Sequence, residues 1–202
     1  RGVRKRATLN GMGLPRAADL IGRLVSVCVS SADLPIVAGE PADRRLYLDL
    51  ELSQLHPGYL RALTQYRHAL EQRNALLKQA QEQPIPPEAF EVWEIQMAEH
   101  GSAMRSYRSK FVAEVERHAA GIHAGLGNGE RLGMTFKPKD EGEDSDALLA
   151  LYLRHRDAEI ARGASTVGPH RDDVLVTVDG REARVFGSQG QQRCAVISLK
   201  LA

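Results

Sequence analysis

Ser188 and Gly190 stand two residues apart where a loop gives way to an apolar-periodic run, Ala195, Val196, Ile197, Leu199, Leu201 and Ala202. A hydroxyl and a glycine at that place, within Ser188-Gln189-Gly190-Gln191-Gln192-Arg193, leave backbone N–H groups uncovered at a helix start. The helix dipole adds partial positive charge there, and the combination suits phosphate oxygens. Gly190 has no Cβ to hold a phosphate off the backbone. Taken alone, Ser-x-Gly reads first as an ordinary N-capped helix. Arg193, one turn in, can reach a phosphate or pair with an acidic neighbour.

A second polar cluster lies just upstream, Gly168-Pro169-His170-Arg171-Asp172-Asp173. A Gly-Pro turn can hold the following side chains rigidly, so that His170 could orient a group beside a bound ligand and Arg171 could bind phosphate. The competing reading is an internal network in which Asp172 or Asp173 satisfies Arg171 and backbone donors, and for His170 it is the favoured one. The segment is no zinc site, because no second ligand stands at metal spacing. Two basic groups could meet DNA phosphates. Arg44 and Arg45 are adjacent on an expected helix and diverge, so at most one can face DNA. Arg4 and Arg6 share a face if residues 3–9 form a strand.

These groups need elements to position them. Asn10-Gly11 is a hairpin turn signal, and residues 24–29 read as a buried strand. Residues 41–55 read as a helix despite the alternation of Leu46, Leu48, Leu50 and Leu52. Pro57 opens a helix whose stripe is Tyr59, Leu63, Tyr66, Leu70, Arg73 and Leu77, a coiled-coil seam with one polar member. Pro84, Pro86 and Pro87 end it. A second stripe follows, Phe90, Trp93, Met97, Met104, Tyr107, Phe111 and Val115, so the two helices form an antiparallel hairpin. Gly125–Gly129 reads as a turn, residues 134–137 as a short strand, and residues 140–146 as a flexible acidic loop. A helix over 146–162 capped by Gly163 follows. Next come a strand at 174–178, a turn at Asp179-Gly180 and a second strand at 183–186.

Composition narrows the class. With 27 basic and 26 acidic residues, the net charge of +1 gives no global nucleic-acid signal, so any DNA contact is a local patch. Cys28 and Cys194 sit in apolar runs and read as buried free thiols. No apolar run is long enough for a membrane span, and no signal peptide is visible, which fits a cytoplasmic protein. No GxxxxGK[ST] occurs, and no hydrophobic strand ends in paired acids that could hold magnesium, so no catalytic or metal residue is expected in this stretch.

Three blocks together resemble the RecF family of DNA-repair ATPases. They are Asp33-Leu34 through Gly39-Glu40-Pro41-Ala42-Asp43-Arg44-Arg45-Leu46-Tyr47-Leu48-Asp49, then Tyr66 through Gln72-Arg73-Asn74-Ala75-Leu76-Leu77, and lastly GPHRDD followed by SQGQQR and LKLA. The resemblance implies an α/β fold, part of an ATP-binding-cassette head (P-loop NTPase, SMC/RecF-like) with an inserted α-helical hairpin arm. It divides the chain into head (1–55), arm (56–163) and returning head (164–202). It places the phosphate loop before Arg1 and the metal-binding strand after Ala202. It assigns Ser188, Gln189, Gly190, Gln191 and Arg193 to ATP bound in trans, with Mg²⁺ held elsewhere; His170 and Arg171 are candidates for a place near that nucleotide from their residue types alone. It further implies recognition of gapped or junction DNA, ATP-dependent homodimerisation, RecR and RecO as partners, RecA loading, and weak DNA-dependent ATPase activity of the full-length protein but not of this stretch. The sequence departs from the family at Ser31-Ala32-Asp33-Leu34, where a Pro-acidic pair usually precedes Asp-Leu, and at Cys194, where a hydroxyl residue is common. Two other classes share some of these features: an SMC-like structural coiled-coil ATPase, whose arms are far longer, and a helical protein-interaction module.

Overall fold

The computed structural model describes residues 6–23, 25–126 and 129–202. Arg4 lies outside them, as do Gly127 and Asn128 of the glycine-rich turn; Arg6 is exposed. Asn10 and Gly11 take left-handed φ values of 49° and 82° and join β1 (Thr8–Leu9) to β2 (Met12–Gly13), the geometry of a two-residue hairpin turn. The expected buried strand at 24–29 is not formed over its described part. Val25, Val27 and Val29 are 56%, 57% and 40% exposed, and Cys28 is exposed with them. Alternating β-branched residues become a strand only beside a ladder partner, and none pairs with them among the described residues.

The helices follow their sequence signals closely. After the short α1 (Pro35–Ala38), α2 (Pro41–Leu55) starts with Pro41 at its first position, while Asp43 accepts a hydrogen bond from the Glu40 amide at 2.8 Å. Its alternating leucines split between two faces. Leu48 and Leu52, one turn apart, are buried, whereas Leu46 and Leu50 are exposed. Pro57 opens α3 (Pro57–Gln79), which pairs with α4 (Glu88–Leu126). The pair is antiparallel: Arg73 late in α3 meets Glu94 early in α4, and Tyr59 at the start of α3 meets Arg108. Leu63, Tyr66, Met97 and Met104 of the two stripes are buried; Leu70, Trp93, Tyr107 and Phe111 are half-buried against the same core.

β3 (Leu132–Lys137) and β4 (Asp173–Val178) pair antiparallel, with Met134 opposite Val176 and Phe136 opposite Val174. α5 (Ser145–Arg162) lies between them in sequence, capped by Asp144 through the Ala147 amide and closed by Gly163 at φ 70°. Asp179 and Gly180, at φ 50° and 75°, turn β4 into β5 (Arg181–Glu182). The strand expected at 183–186 is a helical turn, α6 (Ala183–Phe186). The Ala183 carbonyl accepts from both the Gly187 amide and the Gln192 side chain. That curls the chain into the start of α7 (Gln189–Leu201) and leaves Val185 and Phe186 exposed.

α4 is the spine, packing against α3, α5, α7 and β3. Gly101 permits a close crossing: a Cβ there would lie 3.2 to 3.3 Å from Pro169, Tyr66 and Leu148. One apolar core runs from Ile36 and Val37 through both helices of the pair to Val196 and Leu199, so the three stretches distinguished in the sequence share it. No helix among the described residues is long and apolar enough to cross a membrane.

Candidate functional site

The start of α7 is an open, fully organised helix terminus. Ser188 is its N-cap: Oγ accepts from the Gln191 amide at 3.2 Å, and the Ser188 amide donates to Gln191 Oε1 at 2.7 Å. This reciprocal box fixes the turn. The amides of Gln189 and Gly190 belong to the first helical turn, where no intrahelical acceptor exists. Because Ser188 Oγ is used as an acceptor, its own hydrogen stays free to donate. Ser188, Gln189 and Gly190 are all exposed. A Cβ on Gly190 would meet nothing nearer than Ser188 Oγ at 3.8 Å, so packing within the chain does not require glycine there. The arrangement can donate three hydrogen bonds, with the helix dipole behind them, to an anion approaching from outside.

Gln191 has a different task from its neighbours. Its Nε2 donates to Glu130 Oε1 at 2.7 Å, so the side chain anchors the corner to the segment before β3 instead of facing a ligand. Glu130 stands 3.9 Å from Nε2 of buried His123, whose Nδ1 is 3.1 Å from Ser198 Oγ. Arg193 is exposed and makes no ion pair among the described residues, so its acid-paired reading is not realised. Cys194 is half-buried.

The Gly168–Asp173 segment is an internal hub. Gly168 has φ 113°, and a Cβ there would lie 2.6 Å from the Tyr152 hydroxyl and 2.7 Å from that of Tyr66. The turn Pro169–Arg171 presents His170, whose Nδ1 lies 2.8 Å from the Tyr66 hydroxyl and Nε2 3.2 Å from the Ser165 carbonyl. A carbonyl only accepts, so Nε2 carries the proton and Nδ1 accepts from Tyr66. Burial, reinforced by the positive charges of Arg171 and Arg45, pushes His170 down to about 4. The network reading holds for His170 but with other partners than expected. Asp172 takes two bonds from Arg105, at 2.9 and 2.6 Å, and Asp173 takes two from Arg44, at 2.7 and 2.9 Å. Arg171 is exposed without an ion pair among the described residues. Arg44 is therefore corrected as a DNA candidate: it is 5% exposed and committed to Asp173 and the Gly39 carbonyl. Arg45 is half-buried and donates to the Asp172 carbonyl at 2.8 Å.

Sequence reasoning missed the charges that hold this hub. Arg105 also reaches Asp140 at 2.7 Å, and Asp140 in turn accepts from the Gly168 amide at 2.7 Å. Burial alone would raise the Asp140 carboxyl, but the Arg105 bond and the Gly168 and Gly142 amides hold it below the usual carboxylate range. The start of the supposed flexible loop at 140–146 is thus pinned. Arg108 bonds Asp49 and the Pro169 carbonyl, both at 2.8 Å. Arg73, wholly buried, bonds Glu94 at 3.0 Å, Glu159 at 2.5 Å and Ser165 at 2.7 Å. The available signal was a charge on an apolar stripe: Arg73 in the seam of α3, and Arg105 and Arg108 one turn apart on α4. Among the described residues, no group of three His, Cys, Asp or Glu stands together as a metal-ligand cluster.

Comparison with known proteins agrees with the resemblance carried by the three blocks. No family model matches the chain. It is 43% identical over 206 residues to the DNA replication and repair protein RecF of Synechococcus sp., covering 96% of this chain and 54% of that protein. To RecF of Agathobacter rectalis it is 40% identical over 200 residues, covering 98% and 54%. A solved structure of the recombination mediator protein RecF-ATP in the RecFOR pathway superposes with a TM-score of 0.89 at 27% identity, covering 98% of this chain and 55% of that one. A second, of RecF with an ATP analogue, gives 0.87 and also covers about half of the solved chain, 53%. The chain is thus similar to RecF proteins over nearly all of its length and spans about half of theirs.

Proposed function

We propose that this chain is the part of an ATP-dependent DNA repair and recombination protein that closes on a nucleotide held by a second copy. The observation that carries the reading is the open first turn of α7. There the Ser188 hydroxyl and the amides of Gln189 and Gly190 are exposed in a helix's first turn, without an intrahelical acceptor, beside a glycine that packing does not demand. Such a corner stabilises the negative charge on a terminal phosphate and contributes little unless a phosphate is presented to it. ATP bound to a second copy would present one, and closure would then be ATP-dependent dimerisation. Ser188 and Gly190 are the contacts, and Gln191 positions them through Glu130. The role of Arg193 stays with phosphate, since it has no acidic partner among the described residues. Mg²⁺ would accompany the nucleotide, and no step here runs through it. Similarity to RecF supports gapped or junction DNA as the substrate, RecR and RecO as partners, and RecA loading as the outcome.

The test uses the full-length protein with Ser188→Arg. ATP affinity should stay near wild type, because the first contact is made by the other subunit's phosphate loop, while nucleotide-dependent dimerisation and DNA-stimulated turnover are lost. A folded variant that still dimerises with a non-hydrolysable analogue, as judged by light scattering, would sink the assignment.

A further inference from the structure

His123 is wholly buried in the last turn of α4. Its Nε2 has no hydrogen-bond partner among the described residues. It faces Glu130 Oε2 at 3.9 Å, too far for a hydrogen bond and close enough for an ion pair. The other oxygen of that carboxylate, Oε1, accepts from Gln191 Nε2 at 2.7 Å. On the far edge of the ring, Nδ1 lies 3.1 Å from Ser198 Oγ, further along α7. The Ser198 hydroxyl has one hydrogen and two takers, Nδ1 and the Cys194 carbonyl at 2.8 Å. Whichever receives it, Nε2 still faces a carboxylate, and a proton on Nε2 is what makes that contact favourable. α7 is thus tied twice to α4 and the segment that follows it, at its first turn through Gln191 and on its buried face through Ser198. Two ties fix the direction of a helix axis, and with it where the amides of the first turn aim.

We propose that His123 is a positioning residue for the α7 corner: through an Nε2–H it holds the Glu130 carboxylate, which holds Gln191 and so sets Ser188. The inference rests on the proposed closure of that corner on a phosphate and adds a residue behind it. His123 touches no ligand and acts through Glu130. A polar ring in a wholly buried place costs stability unless both nitrogens are bonded, so its presence calls for the second partner that Glu130 supplies. Without that hold, the half-buried Glu130 side chain keeps its rotamer freedom, and Gln191 loses a fixed anchor.

The experiment uses the full-length protein and reads association with a non-hydrolysable ATP analogue by light scattering, beside the melting curve of each variant. His123→Gln puts an amide N–H where Nε2 stands; His123→Asn puts one where Nδ1 stands and leaves Glu130 unsupported. The expected result is association near wild type for His123→Gln and about tenfold weaker for His123→Asn, the scale of one hydrogen bond to a charged group. A ring that only fills space or holds Ser198 would give equal losses or the reverse order, and either would overturn the assignment. Glu130→Ala should weaken association as much, and His123→Asn should add nothing in that background, because the two act as one unit. Additive losses would overturn the coupling. Glu130 is only half-buried, so its variant is expected to fold and carries the test if His123→Asn melts early: unchanged association of Glu130→Ala would overturn the proposal by itself. Glu114→Gln, on the exposed surface of α4, is the control and should match wild type. A wild type that does not associate with nucleotide overturns the proposed function and the role of His123 with it. A wild type that associates, beside variants that all match it, overturns the role of His123 alone.

Discussion

Tyr66 donates its hydroxyl to Nδ1 of His170 across 2.8 Å, tying the middle of α3 to a turn 104 residues further on. The contact works only while His170 is neutral, since a protonated ring has no acceptor left. Burial keeps the ring neutral, helped by the positive charges of Arg171 and Arg45 and opposed only in part by the bond to the Ser165 carbonyl.

A pH dependence follows from this. The ring's pKa falls from an ordinary 6.5 to about 4 on folding. The folded state therefore resists the proton that the unfolded chain accepts. The associated stability is fully present above pH 6.5 and is lost as pH falls towards 4. The loss is on the order of 3 kcal/mol at most. Thermal melts between these limits should show the decline, and His170→Gln should flatten it; an equally steep decline in the variant would place the titration elsewhere.

Arg73 is predicted to be the least replaceable charge in the pair. Arg73→Met leaves Glu159 buried without its cation and Glu94 with Arg156 alone, and should cost about 3–5 kcal/mol. Arg73→Lys should recover only part of this, because one ammonium cannot reproduce a fork that spans two carboxylates and Ser165. Chemical denaturation of the three proteins gives the order directly.

Gly168→Ala should destabilise on two counts. Its φ of 113° is foreign to residues with a side chain, and the new methyl would press into the hydroxyls of Tyr66 and Tyr152. The backbone strain alone is about 1–3 kcal/mol. Loss of the His170 pH response in a variant that still folds would confirm that the turn had moved.

Gly190→Ala is predicted to do the opposite. The site is open and its φ is ordinary, so alanine should raise stability by roughly 0.4–1 kcal/mol. The bulkier Gly190→Val should keep the fold but lose nucleotide-dependent association in the full-length protein. Calorimetry and light scattering on the same samples separate the two effects, and a Gly190→Val protein that associates normally would count against a phosphate at this corner.

What could be read from sequence was local. Pro41 and Pro57 set helix starts, Gly163 a helix end, and Asn10-Gly11 and Asp179-Gly180 their turns, because each signal acts on its own backbone. The α7 corner was legible for the same reason: Ser188, Gly190 and Gln191 are neighbours in the chain. Elements that depend on a distant partner were not. Residues 25–29 have strand composition without a ladder, and residues 183–186 curl because Gln192 reaches back to Ala183. The Arg105–Asp172 and Arg44–Asp173 pairs join residues 67 and 129 apart, and nothing in either local sequence chooses between those aspartates and Arg171.

The position of α4 has a consequence for how the molecule opens. A helix packed against α3, α5, α7 and β3 cannot fray without dismantling all of them. The peptide groups around Gly101 should therefore exchange hydrogen with solvent only through global unfolding, while those of the hairpin at 8–13 and the valine segment at 25–29 exchange through local openings. The two ends of this gradient mark where the chain can yield to a partner without surrendering its fold.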